Sequence, residues 1–258
     1  MDRLIKKARS FKYHSFQYST PGEGARIFET ETYILTGEKD EERIKLFWAA
    51  DTLEDLINGL EKASKSYHGE ELYIEFIPPE FVKSLEEVGY KIVSEWIDFW
   101  IEELDQKKWD FLSKVEIDLM KEDEISKVAA ITRSCRGVSR EFKGETDEFI
   151  EEWSQNTNNQ AFVAKINNQP VGVCMMNLYD SPKGMVAFLR ELAVSPGYQH
   201  QGIGRSLVKV GLEWGQKNNA ARSFLMTDVE NIHAINLYEK FGYKRRKGRG
   251  QINMARMV

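Results

Sequence analysis

Gln199, Gly202 and Gly204 stand in the spacing Q-x-x-G-x-G, with His200, Gln201, Ile203 and Arg205 between and after them. Glycines at the start of a helix remove Cβ atoms from the approach to the backbone. An anion can then reach the unpaired N–H groups of the first turn along the favourable helix dipole. The chemistry on offer is the holding of a phosphate. A P-loop needs Lys-Ser/Thr after its last glycine, but Arg205-Ser206 follows here with a different glycine spacing, which argues against a nucleoside triphosphate. A dinucleotide fingerprint needs a third glycine, G-x-G-x-x-G, and that glycine is absent.

Such a loop works only if a strand delivers the chain to it and a helix leads away. The apolar run Leu189–Val194, broken by Arg190-Glu191, reads as a mostly buried strand, stopped by Ser195-Pro196-Gly197. Ile203, Leu207, Val210 and Trp214 then recur at helical intervals. Alternation puts Glu191 on the opposite face from Arg190 and Leu192 unless a bulge intervenes. Downstream, Ser223–Asp228 reads as a strand, His233–Phe241 as a helix and Ile252–Met257 as the last strand. Upstream, a strand over Val115–Leu119 leads to a helix over Glu122–Ser134 and a polar loop from Cys135 to Glu145. A second helix capped by Thr146 follows. Gln160–Ile166 and Pro170–Leu178 form a hairpin across Asn167-Asn168-Gln169, residues that tolerate positive φ.

The first part of the chain repeats this order more thinly. Strands over Ala25–Leu35 and Arg43–Ala49 precede a helix started by Asp51-Thr52. A strand over Glu71–Ile77, a helix over Glu80–Val88 ended by Gly89, and a long strand region over Tyr90–Leu104 follow. The linker is placed at Asp105–Trp109, so the expected domains are 1–109 and 110–258, the second opening near Lys114. The expected fold class is α/β (α+β): two tandem domains, each a mixed, largely antiparallel sheet flanked by helices.

Composition narrows the function. With 258 residues there is room for one large or two small cores. A net charge of −5 argues against a general nucleic-acid or membrane-surface binder. No apolar run approaches the ~18–20 residues of a membrane span, and no signal-peptide segment is read at the N-terminus. Cys135 and Cys174 lack metal-ligand spacing and read as free thiols of a cytoplasmic protein, and the four scattered histidines suggest no metal.

The stretch Leu192-Ala193-Val194-Ser195-Pro196-Gly197-Tyr198-Gln199-His200-Gln201-Gly202-Ile203-Gly204 resembles the acetyl-CoA signature of the GNAT N-acetyltransferase superfamily, L-A-V-x-P-x-Y-(Q/R)-x-x-G-x-G. A second block, from Asn231 through Ala234 and Leu237-Tyr238 to Gly242-Tyr243, resembles the family's N-x-x-A-x-x-L-Y-x-x-x-G-F/Y at the right distance. The resemblance implies an acetyl-CoA-dependent N-acetyltransferase in which two central strands splay apart at the motif. Leu192, Ala193 and Val194 would then line the pantetheine arm, and the Val194 N–H would meet the reaction's oxyanion. Gln199, His200, Gln201, Gly202, Ile203, Gly204 and Arg205 would hold the pyrophosphate. Tyr238 would be the general acid to the leaving thiolate, and Asn231 and Asn236 would bond the pantetheine or the CoA 3′ end. Asn231 would also cap its helix.

The base is the least determined role. Glu191 is the candidate, with Glu230 and ordered water as alternatives. Arg133, Arg136 and Arg140 either greet an anionic acceptor or form a solvated basic surface. The acceptor that the resemblance implies is a small-molecule or protein amine, and the chain is expected to be a monomer or homodimer. The alternative to an enzyme is a non-catalytic CoA-binding or assembly protein built from two such scaffolds. Setting Gly89-Tyr90-Lys91 on Gly242-Tyr243-Lys244 places Leu85 opposite Tyr238 and Ala49 opposite Gly202, as in a degenerate first copy. Asp51 is expected to satisfy that helix start itself and repel a pyrophosphate, so the first domain is not expected to bind CoA.

Overall fold

The computed structural model describes residues 2–40, 42–111, 113 and 115–258; the expected opening of the second domain near Lys114 falls outside the described residues. In chain order the regular elements begin with α1 (Asp2–Ala8), β1 (Tyr13–His14), β2 (Arg26–Glu29), β3 (Tyr33–Lys39), β4 (Ile44–Ala50), α2 (Leu53–Ser66), β5 (Glu71–Ile77), α3 (Val82–Glu87) and β6 (Lys91–Ile101). They continue with β7 (Glu116–Leu119), α4 (Ile125–Ser134), α5 (Asp147–Ser154), β8 (Asn159–Ile166), β9 (Gln169–Tyr179), β10 (Val186–Val194), α6 (Ile203–Lys217), β11 (Arg222–Asp228), α7 (Ile232–Lys240), β12 (Lys244–Arg245) and β13 (Gln251–Met257). This is the expected α/β class, mixed sheet flanked by helices.

The chain divides into two compact units, Met1–Trp96 with Arg249–Val258, and Ile97–Gly248. This division differs from the expected 1–109 and 110–258 at the junction, which falls at 96/97, and at the C-terminus, where Arg249–Val258 belongs to the first unit. The side chains of Ile97, Phe99 and Ile101 at the end of β6 are buried in the second unit's core. The last strand, β13, lies between β5 and β6 in the first unit's sheet, antiparallel to both. The residue pattern announces a strand at Ile252–Met257 but carries no information about a partner so far away in sequence.

In the first unit the strands run β2-β3-β4-β5-β13-β6. The parallel pairing of β4 with β5 covers only Ile44–Leu46 against Leu72–Ile74. Past it, the freed edge of β4 is taken by β1, Tyr13 against Ala50 and His14 against Ala49, and Ser15 N donates to Trp48 O at 2.8 Å. The Trp48 indole N–H donates to Glu75 O at 2.7 Å, closing the gap to β5. At the start of α2, Thr52 Oγ1 accepts from Asp55 N at 3.1 Å, whereas Asp51 Oδ1 accepts from Lys12 N. Asp51 therefore does not cap the helix as expected; a threonine one residue closer to the first turn reaches the N3 amide instead. The two helix starts also align differently from the sequence overlay. The cap positions are Thr52 and Gly202, while Ala49 lies within β4.

In the second unit the order is β6-β11-β10-β9-β8-β7. The β8–β9 turn uses Asn167 and Asn168 at φ 50° and 61°, the left-handed pair of a type I′ hairpin. Apolar residues sort by face. Leu207, Val208 and Leu212 of α6 pack with Met176, Leu189, Leu225 and Phe99, all buried. On the other face Val128, Ala129 and Ile131 of α4 and Ile150 of α5 cover Val163, Val173, Met175 and Ala193. Each fully buried side chain of this size contributes about 1.5–3 kcal/mol. The cores on both faces hold β10 in place.

Candidate active site

The parallel pairing of β10 with β11 covers only Val186–Phe188 against Arg222–Phe224. From Leu189 to Val194, β10 continues to pair with β9 alone. Ser195 N donates to Val171 O on the β9 side, so the alternate residues Leu192 and Val194 turn their main-chain groups toward the opened edge. An extended partner can add there without needing particular side chains.

A register shift between Leu189 and Glu191 inserts Arg190 as an extra residue. Leu189 pairs with Met176 and Leu192 with Cys174, both of the α6-side core, while Glu191 pairs with Met175 and Ala193 with Val173, both of the α4–α5 core. The bulge thus turns Glu191 to the α4–α5 face, the face that Phe188 also occupies. Burial and the neighbouring charge of Glu145 push the Glu191 carboxyl up to about 7, with Arg190 and the Leu192 N–H pulling against them. Glu191 Oε1 accepts that N–H at 2.9 Å. A carboxyl poised there can accept a proton near neutral pH.

Tyr238 lies on the other face. It is 6% exposed in the α6-side core, and its ring meets that of Tyr243 edge-on at 5.9 Å. Burial, then the charge of Glu191, raises its phenol well above the ordinary value, so it keeps its proton at neutral pH. A candidate base and a candidate acid therefore flank the opened edge from opposite faces.

The loop between β10 and α6 ends in a helix start without a side-chain cap. Gly202 takes φ 86° and His200 φ 60°, left-handed turns that swing the chain under the first helical N–H groups. Gly204 has no such conformational need. A Cβ there would make only ordinary contacts at 3.7 Å with Leu237 and 3.8 Å with Val194, so the protein's own packing does not demand a glycine. The missing side chain keeps the approach to the amides open. These residues fit a pyrophosphate.

The other expected residues make the following contacts. The Gln199 side-chain amide donates to Val194 O at 2.9 Å and so braces the strand end. Arg205 stacks over the Phe111 ring at 3.7 Å. Gln201 is exposed, and its amide donates to Gly197 O at 3.4 Å, within the loop itself. Asn231 caps α7, accepting from Ala234 N at 3.3 Å. Asn236 is exposed, two residues from Tyr238 and turned away from it on the helix. His200 and His233 face each other edge-on at 5.8 Å, linking the loop to the first turn of α7. Arg133 pairs with Asp147 at 3.1 Å, and Arg140 with Asp228 at 3.0 Å and Glu230 at 2.9 Å. Arg133 and Arg140 are thus committed to carboxylates, and Glu230, the alternative base, is engaged by Arg140.

Two further residues carry no signal in the sequence. Glu145 bonds Arg190 at 2.6 Å, and Arg190 also lies over the Phe149 ring at 4.2 Å. Cys135 Sγ donates to Val194 O at 3.3 Å. Both come from the α4–α5 segment, and only the fold brings them to β10.

Opened strand, uncapped helix start and α7 are joined in one continuous stretch of chain. Residues 125–243 match the acetyltransferase (GNAT) family. The match runs from the first residue of α4 through both sequence blocks. The chain is 30% identical over 101 residues to an uncharacterised N-acetyltransferase of Methanocaldococcus jannaschii, covering 38% of this chain and 45% of that protein. It is 31% identical over 106 residues to N-alpha-acetyltransferase 30 of Saccharomyces cerevisiae, covering 38% and 57%. The chain thus spans about half the length of these curated relatives. A GCN5-related N-acetyltransferase from Kribbella flavida superposes with a TM-score of 0.58 at 14% identity, over 91% of this chain and 90% of that one. The fold of that protein therefore extends over most of this chain. No helix among the described residues is long and apolar enough to cross a membrane.

Proposed function

We propose that the second unit is an acetyl-CoA-dependent N-acetyltransferase that moves an acetyl group to a primary amine by direct attack on the thioester. The observation that carries this reading is the opened edge of β10, flanked by Glu191 on one face and Tyr238 on the other, above an uncapped helix start. The names of the relatives, N-acetyltransferases and an N-alpha-acetyltransferase, agree with an amine as acceptor.

Acetyl-CoA supplies the activated acyl carbon and the thiolate leaving group when bound. Leu192 and Val194 present main chain to its extended arm, while Ala193 spends its own on β9, and the amides of Ile203, Gly204 and Arg205 receive the pyrophosphate. Glu191 accepts the proton that an alkylammonium of pKa ~10 must lose before it can attack. The Val194 N–H donates to the developing oxyanion. Tyr238 donates toward the leaving sulfur.

The first unit is read as a degenerate copy. Gly89 and Gly242 both take φ 93°, and the following tyrosines, Tyr90 and Tyr243, donate to Leu85 O and Tyr238 O. Leucine stands where the acid would be, Thr52 caps the helix start, and β1 fills the strand gap.

Tyr238→Phe tests the assignment, since it keeps the ring's packing and removes the proton. Turnover measured as thiol release should fall ~10²–10⁴-fold, with acetyl-CoA affinity by calorimetry nearly unchanged. Wild-type turnover in the phenylalanine variant would make Tyr238 a packing residue. Cofactor binding without turnover of any amine by the native chain would favour the non-catalytic scaffold.

A further inference from the structure

The face of the second unit that carries Glu191 also carries a row of aromatic rings. Ser223 and Leu225 of β11 turn to the α6 side, where Ser223 Oγ lies 2.6 Å from Tyr243 Oη and Leu225 is fully buried in the core. Phe224 and Met226 therefore turn to the opposite face. Phe224 stacks with Phe188 of β10 at 5.4 Å and 26°, and meets Trp100 of β6 at 4.6 Å. All four side chains are only partly buried. Arg222 closes the far end, over the Trp100 ring at 5.1 Å and bonded to Ser181 Oγ at 2.7 Å. The near end is Phe188, the last residue of β10 before the strands part, and Glu191 follows just past the bulge.

The charged groups around Glu191 limit what can approach. Glu145, Asp228 and Glu230 lie on this side, and the arginines Arg140 and Arg190 are spent on them at 2.6–3.0 Å. A dianionic acceptor would meet carboxylates whose cations are already paired. An ammonium would meet carboxylates and aromatic faces, both of which attract it. A polyhydroxylated body would have to shed water against rings and a thioether that return no hydrogen bonds.

Building on the proposed acetyl transfer, the geometry points to an acceptor that is a primary amine on a short arm attached to an aromatic or bulky apolar body, the body lying along Phe188, Phe224 and Trp100 and the amine at Glu191. Phe224, central in the row, sets the selectivity. The apolar floor also helps the chemistry, because desolvation lowers an amine's affinity for its proton.

The test uses the full chain with acetyl-CoA and three amines: 2-phenylethylamine, ethanolamine and aspartate. The kcat/KM for phenylethylamine should exceed that for ethanolamine at least tenfold, with aspartate slower still. Phe224→Ala should raise KM for phenylethylamine about tenfold and collapse the preference, with little change in kcat at saturation. Phe224→Leu, which keeps apolar volume without a ring, serves if the alanine variant fails to fold. Equal or better use of ethanolamine or aspartate, no use of phenylethylamine, or an unchanged preference in both variants overturns this inference while leaving acetyl-CoA binding intact. Absence of acetyl-CoA binding by calorimetry instead removes the acetyltransferase reading and this inference with it.

Discussion

Glu191 is half-buried beside a second carboxylate, and the consequence of that placement can be read as a function of pH. With its carboxyl pushed up to about 7, it is protonated and useless as a base well below that pH. The rate under kcat/KM conditions should therefore rise with pH through about 7, and Glu191→Gln should lose that limb along with ~10²–10⁴ in rate. Stability moves the other way. The folded carboxyl binds its proton more tightly than the unfolded one, so folding takes up a proton between the ordinary carboxylate range and about 7. Stability is then fully present below that window and declines as pH rises through it, by roughly 3–4 kcal/mol at most. Thermal melts at pH 5 and pH 8 check this: the native chain should lose stability between them, and Glu191→Gln should lose less. Equal losses in the two proteins would mean the carboxyl is not held protonated. Little of this was legible beforehand. The resemblance marks Glu191 as a carboxylate on the motif strand, but its face depends on the bulge at Arg190, and of the two causes that raise it, burial is set by the fold and Glu145 lies at the end of a distant polar loop.

At the scale of elements the comparison that matters is between two helix starts. α6 begins at Gly202 with φ 86° and no side-chain cap; α2 begins at Thr52 with its hydroxyl on the Asp55 amide. The first leaves its N–H groups for an anion and the second has already used one. Gly202→Glu should place a carboxylate in the pyrophosphate position and lower acetyl-CoA affinity at least tenfold, roughly 1.4 kcal/mol. Because any side chain at that φ is strained, Gly202→Ala is the control. Calorimetry should show the alanine variant binding well above the glutamate one. If the two bind alike, strain and not charge governs the site. The helix starts, the asparagine turn and the strand stop at Ser195-Pro196-Gly197 were legible because each is a local matter of φ and hydrogen bonding. Even so, sequence order favoured Asp51 as the cap. Thr52 holds the position because the Asp51 carboxylate accepts from Lys12 N, a contact 39 residues away.

At the scale of the whole chain, the C-terminal strand makes the two units separable in one direction. β13 is an interior strand of the first unit, with Ile252 and Met254 fully buried. Asn253 donates to Ser94 Oγ at 3.0 Å, and Gly250 N donates to Glu95 Oε1 at 3.2 Å. Ending the chain at Gly248 removes two core side chains, each worth about 1.5–3 kcal/mol. It also strips the ladder partners of β5 and β6, leaving buried polar groups such as Ser94 unpaired at about 1–3 kcal/mol each. Together these losses reach the ~5–15 kcal/mol that holds a domain folded. The second unit's core clusters contain no residue after Tyr243. Hydrogen exchange on the truncated chain should show protection lost across 1–96 and kept across 97–248, and calorimetry should still find one acetyl-CoA per chain at near-native affinity. Retained protection across 1–96 would show that β5 and β6 hold without the strand between them. Loss of acetyl-CoA binding alongside intact protection of 97–248 would move the cofactor site away from the loop at Gly202.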